Sequence, residues 1–149
     1  MFLIAHRGNT EGRKLDLENT ASYIMAALDS GFDVETDVWK KNDIYYLGHD
    51  EPKEEVGLDF LLNKNIWCHA KNIEAFESLL IDGAHCFWHE EDDYTLTSKG
   101  YIWTYPGQKL VEKSVCVLPE SFKERNVEKC SGLCSDFVLN YLHLSDIIV

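Results

Sequence analysis

Residues 33–39 read Asp-Val-Glu-Thr-Asp-Val-Trp, and their carboxylate side chains recur at every second position. This alternation is typical of a β-strand whose two faces lie in different surroundings. Val34 and Val38 then point toward packing helices, whereas Glu35 and Asp37 share the opposite face. Two carboxylates on one face repel each other and lose hydration, so we expect a positive group or ion to neutralise them.

The elements on either side of this strand predict an α/β chain with a parallel sheet, because strands and helices alternate. Further strands are predicted at 2–6, 44–47, 66–71, 84–88, 101–105, 114–118 and 132–134, and helices from residue 19 or 20 to Gly31 and from Ile73 to Gly83. A full β/α barrel usually takes about 250 residues. We therefore expect residues 1–149 to form one domain with a reduced TIM-type (β/α) barrel, and an open doubly wound sheet is the alternative.

Bulk properties exclude several classes of function. The formal net charge of −12 argues against nucleic acid and anionic membrane surfaces as partners, since both need clustered Lys and Arg. No run approaches the roughly 20 apolar residues of a membrane span, and the short apolar start is unlike a signal peptide. The expected location is the cytoplasm, where thiols stay reduced. Of the five cysteines, Cys68, Cys86, Cys116 and Cys134 lie in or beside apolar runs and are expected to be buried.

Ionisable residues also end the apolar runs of other predicted strands, and these residues are His6, Arg7, His49, His69 and Lys71. Strand ends of this kind are expected where a parallel sheet opens into an active site. Paired histidines can act as general acid and base, and an arginine can hold a phosphoryl oxygen through two hydrogen bonds. Glu35 and Asp37 can bind a divalent cation such as Mg²⁺ or Ca²⁺; the alternative is an exposed strand face paired with Lys40 and Lys41.

The order of these residues resembles the His-Arg, Glu-x-Asp, His signature of the glycerophosphodiester phosphodiesterases. Residues 18–20, Glu-Asn-Thr, match the tripeptide that opens the first helix of that family. Residues 69–71, His-Ala-Lys, fall where the family carries Glu-x-Lys, and residues 132–136, Gly-Leu-Cys-Ser-Asp, look like its closing strand. The likeness is dense through residue 50 and thin beyond residue 71.

The resemblance implies a TIM-type barrel that hydrolyses a small glycerol-type phosphodiester with the help of a divalent cation. Mg²⁺ is the expected ion, with Ca²⁺ or Mn²⁺ as alternatives. The implied roles are metal binding by Glu35, Asp37 and His69, acid–base catalysis by His6 and His49, and phosphate binding by Arg7 and Lys71.

Two departures from the family pattern leave alternatives open. His69 stands where the family has a carboxylate, so it either shifts the metal preference toward Mn²⁺ or Zn²⁺ or only forms a hydrogen bond. Residues 51–64 are too few to hold the insertion that usually follows the second histidine of the family. A barrel that binds phosphate esters without turnover is therefore one alternative, and a phosphodiester lyase of the sphingomyelinase D type is another.

Overall fold

A computed structural model of the chain describes residues 1–124 and 126–147, with the backbone alone at residues 146 and 147. The strands are β1 (Phe2–His6), β2 (Asp33–Lys41), β3 (Ile44–Leu47), β4 (Glu54–Val56), β5 (Ile66–Ala70), β6 (Cys86–Trp88), β7 (Tyr94–Leu96), β8 (Ile102–Thr104), β9 (Ser114–Val117) and β10 (Gly132–Ser135). The α-helices are α1 (Ala21–Asp29), α2 (Leu58–Leu61), α3 (Ile73–Asp82) and α4 (Pro119–Phe122), and 3-10 helices span Val127–Lys129 and Val138–Ile147.

The ten strands form one open sheet of mixed parallel and antiparallel pairs in the order β4-β3-β2-β1-β10-β9-β8-β7, with β5 on the other edge of β2 and β6 beside β5. The predicted reduced TIM-type barrel is therefore wrong. A barrel needs every strand paired on both edges, and within residues 1–124 and 126–147 no pairing joins β6 to β8. The alternative prediction of an open doubly wound sheet was right in that the sheet is open. It did not include the antiparallel strand pairs.

Short connections explain why the chain turns back instead of crossing over. Asn42 and Asp43 link β2 to β3, and both have positive φ angles, 51° and 62°. Two residues of this kind make a tight hairpin, whereas a parallel crossover needs a dozen or more residues. The five residues between β7 and β8 impose the same antiparallel return.

Two helices cover one face of the sheet, as the sequence predicted. Helix α3 begins where the Asn72 side chain accepts the Ala75 N–H, and it ends at Gly83, whose φ of 82° is left-handed. Buried residues of α1 and α3 pack in one apolar cluster with Val34 and Val38 of β2. Burying that face leaves Glu35 and Asp37 on the other side of the same strand.

The other face has an apolar floor beneath an ionisable layer. Trp67, Phe87 and Trp103 are almost fully buried and form a second cluster there. Beyond this floor, toward the carboxyl ends of the parallel strands, His6 pairs in register with Glu35, and Asp37 pairs with His69. Strand pairing thus brings the predicted site residues of three strands together.

Two further predictions concern the chain as a whole. All five cysteines are buried free thiols in the structure. Among the described helices, none has the length and apolar character needed to cross a bilayer.

Candidate active site

Glu35 and Asp37 are buried, with exposed fractions of 2% and 0%. The alternative of an exposed strand face is therefore wrong, and Lys40 instead lies beside Asp43 and Ser78. Burial, together with the charge of Asp37, raises the pKa of Glu35. Burial also acts to raise the pKa of Asp37, but the adjoining His69 imidazole and the Arg7 guanidinium outweigh it and lower that pKa.

Arg7 is held against carboxylates. Its backbone has a φ of 54°, and its N–H donates to the Glu35 carbonyl at 2.9 Å. The side-chain Nε lies 3.1 Å from Asp37 Oδ2, and Nη1 donates to Glu18 Oε2 at 3.4 Å. Lys71 Nζ approaches the other Asp37 oxygen at 4.0 Å. The side chains of Arg7 and Lys71 thus both place positive charge beside the buried Asp37 carboxylate, and both also line the cavity described below.

Asn19 is a site residue whose role the sequence did not reveal. Thr20 occupies the N-cap position of helix α1, although its side chain makes no capping hydrogen bond, so Asn19 is not the cap. Its Nδ2 donates to Asp37 Oδ2 at 2.9 Å, while its Oδ1 accepts the Asp37 N–H at 3.0 Å and the Thr36 hydroxyl at 2.8 Å. Two of these three hydrogen bonds hold Asp37, and the third ties Asn19 to Thr36 of the same strand. The only sequence signal for Asn19 was the Glu-Asn-Thr match, which indicated the start of a helix and not a contact with Asp37.

Asp136 is a second such residue, and it orients His6. The Nδ1 of His6 donates to Asp136 Oδ1 at 2.8 Å, and Asn9 Nδ2 donates to the same oxygen at 2.9 Å. The Nε2 of His6 then faces Glu35 Oε2 at 3.8 Å. Burial acts to lower the pKa of His6, but the hydrogen bond to Asp136 and the charge of Glu35 outweigh it, so the pKa is raised. The match of residues 132–136 to a closing strand was the only sequence signal for Asp136.

His49 reaches the site from the turn after β3. Trp39 Nε1 donates to the Gly48 carbonyl at 2.6 Å, which ties this turn to β2. The imidazole is 43% exposed, and its Nδ1 lies 2.8 Å from Asp50 Oδ1. His49 is therefore the most accessible imidazole of the site, in contrast to the half-buried His6, whose side chain is 14% exposed.

One cavity of about 460 Å³ gathers these groups. Six of the seven predicted residues line it, namely His6, Arg7, Glu35, His49, His69 and Lys71, and Asp37 lies fully buried behind them. Trp88, Trp103, Tyr105 and His89 form part of the remaining wall. Arg7 and His49 also line a second cavity of about 750 Å³, whose other lining is largely polar. Arg7 and His49 therefore border both cavities.

The carboxylate pair and His69 have the chemistry of a cation site. One ligand atom from each of Glu35, Asp37 and His69 can be chosen so that all three lie within 4.8 Å of one another, and the described residues contain no second group of this kind. Glu35 Oε2 and Asp37 Oδ1 are buried and accept no hydrogen bond within the described part of the chain. Buried carboxylate oxygens are costly without a partner, so the donor set fits a divalent cation.

In comparisons with known protein families, with curated proteins and with solved structures, no match to this chain was found.

Proposed function

We propose that the chain is a metal-dependent phosphodiesterase that cleaves glycerophosphodiester-type substrates, a divergent relative of the glycerophosphodiester phosphodiesterases. One observation carries the proposal. The imidazoles of His6 and His49, which come from distant chain segments, line one cavity together with a buried group that can hold a cation. The open sheet differs from the barrel implied by the family resemblance, so the proposal rests on the site residues and not on the fold.

The two adjoining cavities favour a diester over a monoester as substrate. A phosphodiester carries one alcohol group on each side of its phosphorus, and Arg7 and His49 border both cavities. With the phosphoryl group beside these residues, each cavity can accommodate one of the two ester groups. Arg7 and Lys71 provide the positive charge that retains the phosphate in an otherwise acidic protein.

The proposed chemistry divides proton transfer between the two histidines. Asp136 keeps the proton of His6 on Nδ1, so Nε2 is the atom that can take a proton from a nucleophile or return one. His49 is exposed and can exchange protons with solvent and with the departing alkoxide. Acid–base help of this kind is typically worth about 10²–10⁴ in rate. A divalent cation held by Glu35, Asp37 and His69 would neutralise charge on the phosphoryl oxygens.

Hydrolysis of bis-p-nitrophenyl phosphate and glycerophosphocholine, with Mg²⁺, Mn²⁺ or a chelator, tests the proposal. We expect His6→Ala and His49→Ala each to lower turnover by about 10²–10⁴ while circular dichroism stays unchanged. His143→Ala is the matched control, because His143 is exposed and lies outside the cavity lining. Full activity in both site variants would refute the acid–base scheme.

A second candidate is a protein that binds phosphate esters without cleaving them. The contacts of Arg7 favour it, because Nε and Nη1 face Asp37 and Glu18 and must be shared with any bound phosphate. Saturable binding of glycerol 3-phosphate without turnover under any metal condition would support this candidate. Phosphorus NMR of the products distinguishes a lyase from both, since a lyase yields a cyclic phosphate.

A further inference from the structure

The tautomer of His69 is set by a backbone contact on the side away from the carboxylates. Its Nε2 lies 3.2 Å from the carbonyl oxygen of His89. A carbonyl can only accept a hydrogen bond, so Nε2 carries the proton. In the neutral ring the lone pair is then on Nδ1. A histidine that gives its other N–H to a backbone carbonyl is the usual arrangement of a metal ligand, because that bond orients the ring.

The Nδ1 atom of His69 faces the two buried carboxylates. It lies 3.1 Å from Asp37 Oδ1 and 3.7 Å from Glu35 Oε1. The ring is also stacked on Phe87, with centroids 4.9 Å apart and planes 14° from parallel. Stacking and the carbonyl contact both hold this orientation independently of the carboxylates. With its lone pair on Nδ1, the neutral ring and the two carboxylates form a three-residue donor set that could hold one cation.

We infer that His69 Nδ1 is an inner-sphere ligand, and that the site accordingly selects a nitrogen-accepting transition ion such as Zn²⁺, Fe²⁺ or Mn²⁺ over Mg²⁺ and Ca²⁺. Mg²⁺ and Ca²⁺ bind oxygen ligands almost exclusively, whereas imidazole suits the transition ions. This departs from the magnesium expected from the carboxylates alone. The inference rests on the metal site of the proposed function and specifies the ion that the site takes.

Calorimetric titration of the whole chain with Zn²⁺, Mn²⁺ and Mg²⁺ tests the selectivity. Transition ions bind most sites more tightly than Mg²⁺ does, so the informative quantity is the change in the ratio of dissociation constants on substitution. His69→Glu makes the ligand set all-oxygen, and we expect it to reduce the preference for Zn²⁺ over Mg²⁺ at least tenfold. His69→Gln removes the nitrogen ligand without adding a charge, and it replaces the Glu variant if that variant does not fold.

Pulsed electron paramagnetic resonance of bound Mn²⁺ identifies the ligand atom directly. The wild-type chain should show ¹⁴N coupling from a coordinated imidazole, and both His69 variants should lose it. His89→Phe is one matched control, since it preserves the backbone carbonyl and an aromatic ring beside Tyr105. His6→Gln is the other, because His6 Nε2 lies 3.8 Å from Glu35 Oε2. Both controls should keep the ¹⁴N coupling.

Several outcomes overturn the inference. An unchanged Zn²⁺ to Mg²⁺ ratio in the His69 variants would do so, as would a ¹⁴N coupling that survives in them and vanishes in His6→Gln. If one of these outcomes were found and the wild-type chain still hydrolysed diesters with Mg²⁺, the proposed function would stand without this inference. Nitrogen-coordinated Mn²⁺ in a protein that turns over no diester with any ion would have the opposite meaning, supporting the inference and refuting the proposed function.

Discussion

Asp136→Asn isolates the contribution of the buried partner of His6. The carboxylate accepts the His6 Nδ1–H at 2.8 Å, and Asp136 is only 7% exposed, so water is a poor substitute. A hydrogen bond to a charged group contributes about 1.5–3 kcal/mol. At about 1.4 kcal/mol for each factor of ten, the expected loss in kcat/KM is about 10- to 150-fold.

The pH dependence of this variant separates an effect on His6 from a general structural loss. Burial acts to lower the pKa of His6, and its hydrogen bond to Asp136 outweighs that effect in the wild-type chain. Removing the carboxylate should therefore lower the pKa of His6. We expect the limb of the pH–rate profile that reports His6 to move to lower pH, and the ¹⁵N chemical shifts of its ring to titrate over the same lower range.

Asp50→Asn is the matched control. His49 and Asp50 are also 2.8 Å apart, but the Asp50 side chain is 88% exposed. Solvent screens exposed pairs, so this variant should change kcat/KM at most a few-fold. Equal losses in the two variants, or an Asp136→Asn profile whose limb does not move, would refute the assigned role of Asp136.

The same pair predicts how stability depends on pH. The raised pKa of His6 gives stability that is complete below its ordinary value of 6.5 and is lost as the pH rises through the folded value. Burial acts to raise the pKa of Asp136, but the hydrogen bond from His6 lowers it, so its contribution is lost as the pH falls below its ordinary value of 3.8. The stability difference between wild type and Asp136→Asn should thus be largest between about pH 4 and 6.5.

Three further predictions concern the groups around the site. Asn19→Ala should lower the free energy of unfolding in urea by about 3 kcal/mol or more, since three hydrogen bonds of about 1 kcal/mol each are lost and a φ of 57° disfavours Ala. Asn19→Gly relieves the φ strain and should cost less. A cost below about 1 kcal/mol for Asn19→Ala would contradict this account. Gly48→Ala should lower the free energy of unfolding by about 1–3 kcal/mol more than Gly31→Ala does, and it should also reduce turnover. Both glycines have positive φ, but only a Cβ at residue 48 would overlap the Glu51 carbonyl. Equal losses of stability in the two variants would argue against that overlap. Ellman's reagent should label fewer than one thiol in the native chain within minutes and all five in denaturant, since burial raises the pKa of each thiol, and rapid native labelling would show that the thiols are accessible.

Local patterns predicted individual elements and the residues of the candidate site. The period of two in residues 33–39 placed Glu35 and Asp37 on one face, because backbone geometry alone fixes that alternation. The end of the second helix at Gly83 was predicted for the same local reason. Whether the sheet closes into a barrel could not be predicted, since closure depends on pairing between β6 and β8. No local sequence pattern indicates whether two strands so far apart in the chain will pair.

The sequence by itself determined which side chains share a face and which strand ends carry ionisable groups, because both follow from the geometry of a single strand. Only the tertiary structure decided that Asn19 holds Asp37 and that Asp136 holds His6. Asn19 and Asp37 are 18 positions apart in the chain, and His6 and Asp136 are 130 positions apart. Contacts over such separations exist only after strand pairing and burial have excluded water. Burial then makes two ordinary carboxylates part of a group that could hold a cation, because buried charges need partners that water supplies to exposed ones.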